Sequence, residues 1–256
     1  AASNLDGWLS ESLTYQEIAT PSKKNPSQST PYNKYHCTSW NVNQASAMVI
    51  CSEELADTLN VPKEKRIYPL ASSETNHMIA AIQRPNLIKP EGLKLAAKFI
   101  LDICKKNKIK PNTYELYSCF PIAVQMFADA LGLNKEEVKT VTGGMSFAGG
   151  PLNHYVIQST VKMLNEIRKD NSKIGLVTGV SGMMTKQSFA LWAKEPLIDF
   201  ISKDVTSDAE SFEKPVELSK LEDGSGTVLG YTALVDETDQ KPKAVLYIED
   251  TQNKRK

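Results

Sequence analysis

Val141-Thr-Gly-Gly-Met-Ser-Phe-Ala-Gly-Gly-Pro-Leu-Asn-His-Tyr155 packs four glycines and a proline immediately ahead of a long amphipathic run. Such a stretch is built around backbone geometry rather than side-chain volume. Gly143 and Gly144 permit positive φ, Gly149 and Gly150 let another group approach the main chain closely, and Pro151 suits the first turn of a following helix. That helix is expected over about 153–169, with Val156, Ile157, Thr160, Val161 and Leu164 on one face. Its start aims free N–H groups and a positive dipole end at whatever fills the loop, which suits an anion or a developing oxyanion. A tight turn that needs glycine for geometry alone accounts for the same residues.

Working outward, strands alternate with helices. Tyr114-Glu-Leu-Tyr117 reads as a strand, and Pro121 opens a helix through Val124, Phe127, Ala128 and Leu131 that Gly132 stops. Downstream, Ile174-Gly-Leu-Val-Thr178 and residues 185–192 read as neighbouring strands joined by a turn at Ser181-Gly182. Upstream, Leu93, Ala96, Ala97, Ile100, Ile103 and Cys104 follow helical spacing over 91–107, with lysines opposite. Residues 42–51 read as a buried strand, Ser52-Glu-Glu as a capped helix start that Val61-Pro62 ends, Ile67-Tyr-Pro-Leu70 as a short strand, and 85–90 as a loop. This alternation predicts a layered α/β fold whose strand ends carry the chemistry. Three segments are expected. Residues 1–33, with three X-Pro pairs, form an extended linking or wrapping segment; 34–195 form the α/β domain; and 196–256 form a partial appended β module with strands at 226–235 and 244–248 around a turn at 239–242.

The 256 residues, 41% hydrophobic and 23% charged, suffice for a sizeable core. Thirty basic residues balance thirty acidic ones, so overall charge makes no case for nucleic acid or an anionic membrane. No apolar run approaches the roughly 20 residues a membrane span needs, and the start lacks a signal-peptide layout. The four cysteines, Cys37, Cys51, Cys104 and Cys119, have no C-x-x-C spacing, and with three histidines they predict no metal site and a reducing compartment, cytoplasmic or an organellar matrix. The chain opens on Ala1-Ala2 and closes on Asn253-Lys-Arg-Lys256 just after an apolar strand, and is expected to be a piece of something longer.

Few residues are placed to do chemistry. Cys119 lies where a strand ends and a helix begins, so a thiolate there would feel the helix N-terminus and lose some basicity; a small buried hydrophobe fits the same position. His154, beside the glycine loop at the start of its helix, is a candidate base or donor, or a surface imidazole. The Ser181-Gly182 turn offers backbone amides or a hydroxyl to a substrate, or is a simple turn. Cys37 adjoins His36, but neighbours along a strand face opposite ways, and Cys51 and Cys104 read as core. Dinucleotide, phosphate-loop and Gly-x-Ser-x-Gly motifs are absent from the sequence.

Four places, in order and spacing, resemble the C-terminal half of the thiolase superfamily, in particular acetyl-CoA acetyltransferases related to sterol-carrier-protein-type thiolases. Residues 42–52 are similar to the family's D-Q-A-A-A-L-like strand. Tyr117-Ser-Cys-Phe120 matches its H-D-C-F or N-E-A-F element. Thr142-Gly-Gly with Gly149-Gly-Pro-Leu152 matches its G-G…G-H-P-L element, and Gly175-Leu-Val-Thr178 through Gly182 its final C-x-G strand. The resemblance covers about 15–195, and the tail resembles the small β domain that some thiolase-like proteins append. It implies a thiolase-like layered fold, an acyl-CoA thioester as substrate with no separate cofactor, and a role in lipid metabolism. It also implies Cys119 near the enolate, and Gly149, Gly150, Ser181 and Gly182 around the thioester. The sequence departs from the pattern where the family's histidine is Gly150, its last cysteine Val180, and its His-Asp pair Tyr117-Ser118. His154 is the available substitute imidazole. The acyl-carrying cysteine of the family belongs to an N-terminal half, expected here as a partner, so this chain alone is expected to be inactive. A homodimer or a β-domain partner protein is also implied. The same departures fit a non-catalytic acyl-CoA or lipid-binding relative, or a scaffold subunit.

Overall fold

A computed structural model describes residues 1–182, 184–220, 223–235 and 242–256. In chain order the elements are α1 (Tyr15–Ala19), β1 (Ser27–Ser29), β2 (Tyr32–Asn33), α2 (Glu53–Thr58), β3 (Tyr68–Thr75) and α3 (Glu91–Asn107). There follow β4 (Thr113–Glu115), α4 (Pro121–Leu131), α5 (Met145–Ala148), α6 (Tyr155–Lys169), β5 (Ile174–Ser181) and β6 (Lys186–Ala193). The last are β7 (Ile201–Asp204), α7 (Thr206–Phe212), β8 (Gly226–Val235) and β9 (Pro242–Asp250).

A five-stranded mixed sheet runs β4-β5-β6-β3-β7, with β4 parallel to β5, β7 parallel to β3, and β6 antiparallel to both its neighbours. Strand alternation sends successive side chains of β5 and β6 to opposite faces. Leu176 and Leu191 join the larger core with α3 and α4, whereas Val177 and Trp192 pack with Met163 and Ile167 of α6. The sheet is thus layered between helices. The buried stripe of α3, from Leu93 through Ala96, Ala97 and Ile100 to Cys104, is the one its spacing predicts, and Lys98 pairs with Asp102 on the solvent side. The expected ends of α3 match the observed ones. So do those of α4, which has Pro121 in its first turn and Gly132 capping in left-handed conformation. Between them Phe127 meets Phe189 of β6 edge-on, with ring centroids 5.3 Å apart.

Other expectations are corrected. Residues 42–51 form no strand: they carry no regular structure, and Val49 and Ile50 are 92% and 78% exposed. An apolar run becomes a buried strand only when a ladder partner is brought to it, and no described strand pairs there. Cys51, expected in the core, is exposed for the same reason, while Cys104 is buried. Helix α6 starts at Tyr155 with His154 as its cap, so Pro151 precedes the helix rather than opening it. Residues 1–33 are more ordered than expected. Thr14 and Glu17 form a capping box on α1, and buried Asn25 donates to the carbonyls of Glu17, Ile18 and Thr20 while accepting from the Tyr35 amide.

The second sheet, β2-β1-β8-β9, contains the two strands expected at 226–235 and 244–248, but it is completed by β1 and β2 from the N-terminal segment. Likewise β7, which follows residue 195, edges the large sheet. Strands therefore cross both expected segment boundaries. The turn expected at 239–242 lies largely outside the described residues.

Phe127→Ala removes one ring of the edge-on pair at the centre of the larger core, and is expected to cost about 3–5 kcal/mol of unfolding free energy. Urea denaturation measures it, and a loss below about 2 kcal/mol would place the core elsewhere.

Candidate functional site

The glycine loop does bind an anion, and the anion is part of the chain. Glu115, the last residue of β4, is 0% exposed, and its carboxylate accepts from the backbone amides of Val141 (2.6 Å) and Thr142 (3.1 Å). It also accepts from the hydroxyls of Thr140 (2.8 Å), Thr142 (2.9 Å) and Tyr155 (2.5 Å). The next amides are used too: Gly143 N–H donates to the Thr140 hydroxyl, Gly144 N–H to that of Thr142, and Met145 N–H to Ser118 Oγ. Gly143 and Gly144 have the positive φ expected of them, and Gly149 has it as well. The amides of residues 141–145 are therefore spent internally. Tyr155 lies wholly inside, where burial first and the neighbouring Glu115 second hold its hydroxyl well above the ordinary tyrosine value. It stays protonated and donating.

The turn from β4 to α4 carries Tyr117, Ser118 and Cys119. Tyr117 N–H donates to Thr178 Oγ1 of β5 (2.8 Å), and its ring stands edge-on to Tyr155. Cys119 Sγ lies 3.8 Å from Met184 Sδ, on the turn between β5 and β6, and its carbonyl accepts from Thr38 Oγ1 (3.0 Å). A Cβ on Gly150 would stand 2.6 Å from Met145 Cε and 2.8 Å from the Thr38 methyl, so both side chains crowd that position. Thr38 thus bridges the cysteine turn to the glycine bend, and Met184 links Cys119 to the β5–β6 turn, where Gly182 has φ 62° beside exposed Ser181. The expected loss of basicity at Cys119 is reversed. Burial pushes its thiol up to about 11, overriding hydrogen bonding from the Phe120 and Cys119 backbone.

His154 is not in this group. Its Nε2 lies 3.2 Å from Ser46 Oγ, on the side of a cavity of about 430 Å³ bordered by Asp6, Gln44, Ser46, Gln158 and Lys162. None of Cys119, Gly149, Gly150, Ser181 or Gly182 lines that cavity, so the convergence of segments at Cys119, rather than cavity size, marks the candidate site. Cys37 and His36 are not a pair: Cys37 Sγ points at the Asn33 carbonyl, and His36 Nδ1 accepts from the Asn33 amide. Among the described residues no group of three His, Cys, Asp or Glu side chains is placed to hold a metal ion, and no helix is long and apolar enough to cross a membrane.

Sequence reasoning passed over Glu115 and Thr38. Glu115 had a signal, an acidic residue inside an otherwise apolar strand. Thr38, in an irregular segment, had none.

No protein-family model and no curated protein matches the chain. Among solved structures it superposes on the crystal structure of a monomeric SCP2-thiolase like protein type 1 (STLP1) from Mycobacterium smegmatis with a TM-score of 0.87, at 24% identity. The match covers 100% of this chain and 56% of that one, so the chain spans little more than half the length of the protein it resembles. The fold is SCP2-thiolase-like.

Glu115→Gln turns an amide NH2 toward amide donors and is expected to destabilise by about 3 kcal/mol; Tyr155→Phe, which removes one donor, by about 1–2 kcal/mol. Chemical denaturation of both variants checks this, and equal small losses for the two would deny the carboxylate its central place. A thiol titrating near 11 is only about one part in ten thousand thiolate at neutral pH. Iodoacetamide is therefore expected to label exposed Cys51 first, with Cys119 accelerating about tenfold per pH unit up to about 11; rapid labelling of Cys119 at pH 7 would contradict it.

Proposed function

We propose that this chain forms the thioester-facing part of a thiolase-type acyltransferase acting on acyl-CoA, with Cys119 as the residue nearest the reacting carbon. The observation that supports it is that Cys119 meets Met184 of the β5–β6 turn through its sulfur and Thr38, which packs beside Gly150, through its carbonyl. Claisen chemistry needs a base for the α-proton, donors for the enolate oxygen, and a thiolate to carry the acyl group. A thiol that keeps its proton to about pH 11 serves as donor and acid. Cys119 is accordingly assigned to the thioester oxygen or enolate, and the glycines and Ser181 to the pocket wall. The acyl-carrying thiolate is assigned to the N-terminal half that the family resemblance implies. His154, engaged with Ser46, is given no step.

A second reading, a non-catalytic acyl-CoA or lipid-binding subunit, draws support from the loop amides committed to Glu115 and from the high thiol pKa. Both readings require acetyl-CoA to reach the sulfur. Millimolar acetyl-CoA is expected to slow alkylation of Cys119 but not of Cys51, with no thiolysis by this polypeptide alone. Absence of protection would remove both readings, and turnover by the isolated chain would overturn the assignment of the acyl-carrying thiolate. Solvent deuterium exchange into the acetyl methyl separates them: exchange that Cys119→Ala abolishes favours the acid role, and protection without exchange favours the binder.

A further inference from the structure

We propose that Thr38 is the positioning residue of the cysteine site, tying the Cys119 peptide to the glycine bend so that sulfur and bend keep one spacing. This rests on the reading of that site as the thioester pocket. Thr38 is half-buried in a segment without regular structure that follows a 3-10 turn at Lys34–His36. Its hydroxyl donates to the Cys119 carbonyl, 81 residues away in sequence, and its methyl shares with the Met145 side chain the space left by the missing side chain of Gly150. The following residue fastens the same segment to the loop three more times. Ser39 N–H donates to the Met145 carbonyl (3.1 Å), Ser39 Oγ to the Ser146 carbonyl (2.7 Å), and Gly150 N–H to the Ser39 carbonyl (2.9 Å). The Ser39 contacts all lie on the glycine-loop side; the Thr38 hydroxyl is what reaches the cysteine turn. Ser118 Oγ, accepting from Met145 N–H, ties the start of the turn to the loop, and the Thr38 hydroxyl adds the tie at the Cys119 peptide itself.

Valine has the shape of threonine without the hydroxyl, and serine keeps the hydroxyl without the methyl, so the two halves of the tie are separable. With iodoacetamide at pH 9, Thr38→Val is expected to speed alkylation of Cys119 about tenfold, as the turn opens and water reaches the sulfur. The pH midpoint of the reaction should fall below that of the parent chain. Thr38→Ser is expected to stay within twofold of the parent. Cys104, buried in the larger core, is the internal control and should not change in either variant. Three outcomes would overturn the proposal: Thr38→Val within twofold of the parent, equal acceleration of Cys104, which signals general loosening, or Thr38→Ser behaving like Thr38→Val. Alkylation involves no acyl-CoA, so this result stands apart from whether the pocket binds or turns over a thioester.

Discussion

The buried carboxylate of Glu115 organises this half of the molecule. Left unpaired in the interior, it would cost several kcal/mol. The chain meets that cost with two amides and three hydroxyls drawn from a loop about 25 residues further on and from the first turn of α6. Because all these donors must face one point, the loop has little freedom in its path. Its glycines satisfy that path rather than leaving the backbone open to a ligand. Tyr155 then meets Tyr117 edge-on, and Ser118 accepts from Met145, so the end of β4, the loop and the start of α6 behave as one unit. Cys119 follows immediately on that unit.

What the sequence made legible follows from the range of the forces involved. Helices α3 and α4 were read to the residue because a helix closes its hydrogen bonds within four residues, and its capping groups, Pro121 and Gly132, sit in the same window. The hairpin of β5 and β6 was equally local. Residues 42–51 were misread because their apolar run carries a propensity for burial but no information about what would cover it. Strands β1 and β2 were missed because three- and two-residue strands have no periodicity to detect, and their order comes from pairing with β8 some 200 residues away. The candidate site divides in the same way. Cys119 and the glycine bend were visible as punctuation between elements, whereas Thr38 and Glu115 take their roles from contacts that only folding makes.

The reversal at Cys119 is a matter of magnitude. A helix N-terminus stabilises a nearby anion by about 0.3–1 kcal/mol. Moving the thiol from 9.0 to about 11 corresponds to roughly 3 kcal/mol in favour of the neutral form. Burial therefore wins, aided by the placement of Cys119 two residues before the first helical residue, Pro121. The motif position that argued for a reactive thiolate is the same position that the fold half-buries.

A half-buried, protonated thiol has a use that a thiolate lacks. In the structure its hydrogen meets the Met184 sulfur at 3.8 Å, a weak acceptor, so little is lost when that contact is exchanged for an oxygen carrying developing charge. The amides of 141–145 are engaged by Glu115, Thr140, Thr142 and Ser118, so this S–H is a donor that the cysteine turn can still offer. A thioester oxygen brought against it would replace a soft contact with a stronger hydrogen bond, and the gain would be largest in the enolate, where charge on that oxygen is greatest. Such a gain depends on the sulfur staying in place as the ligand enters, and the fold holds it there from both sides: the Glu115 unit fixes the chain ahead of Cys119, and α4 fixes the chain behind it.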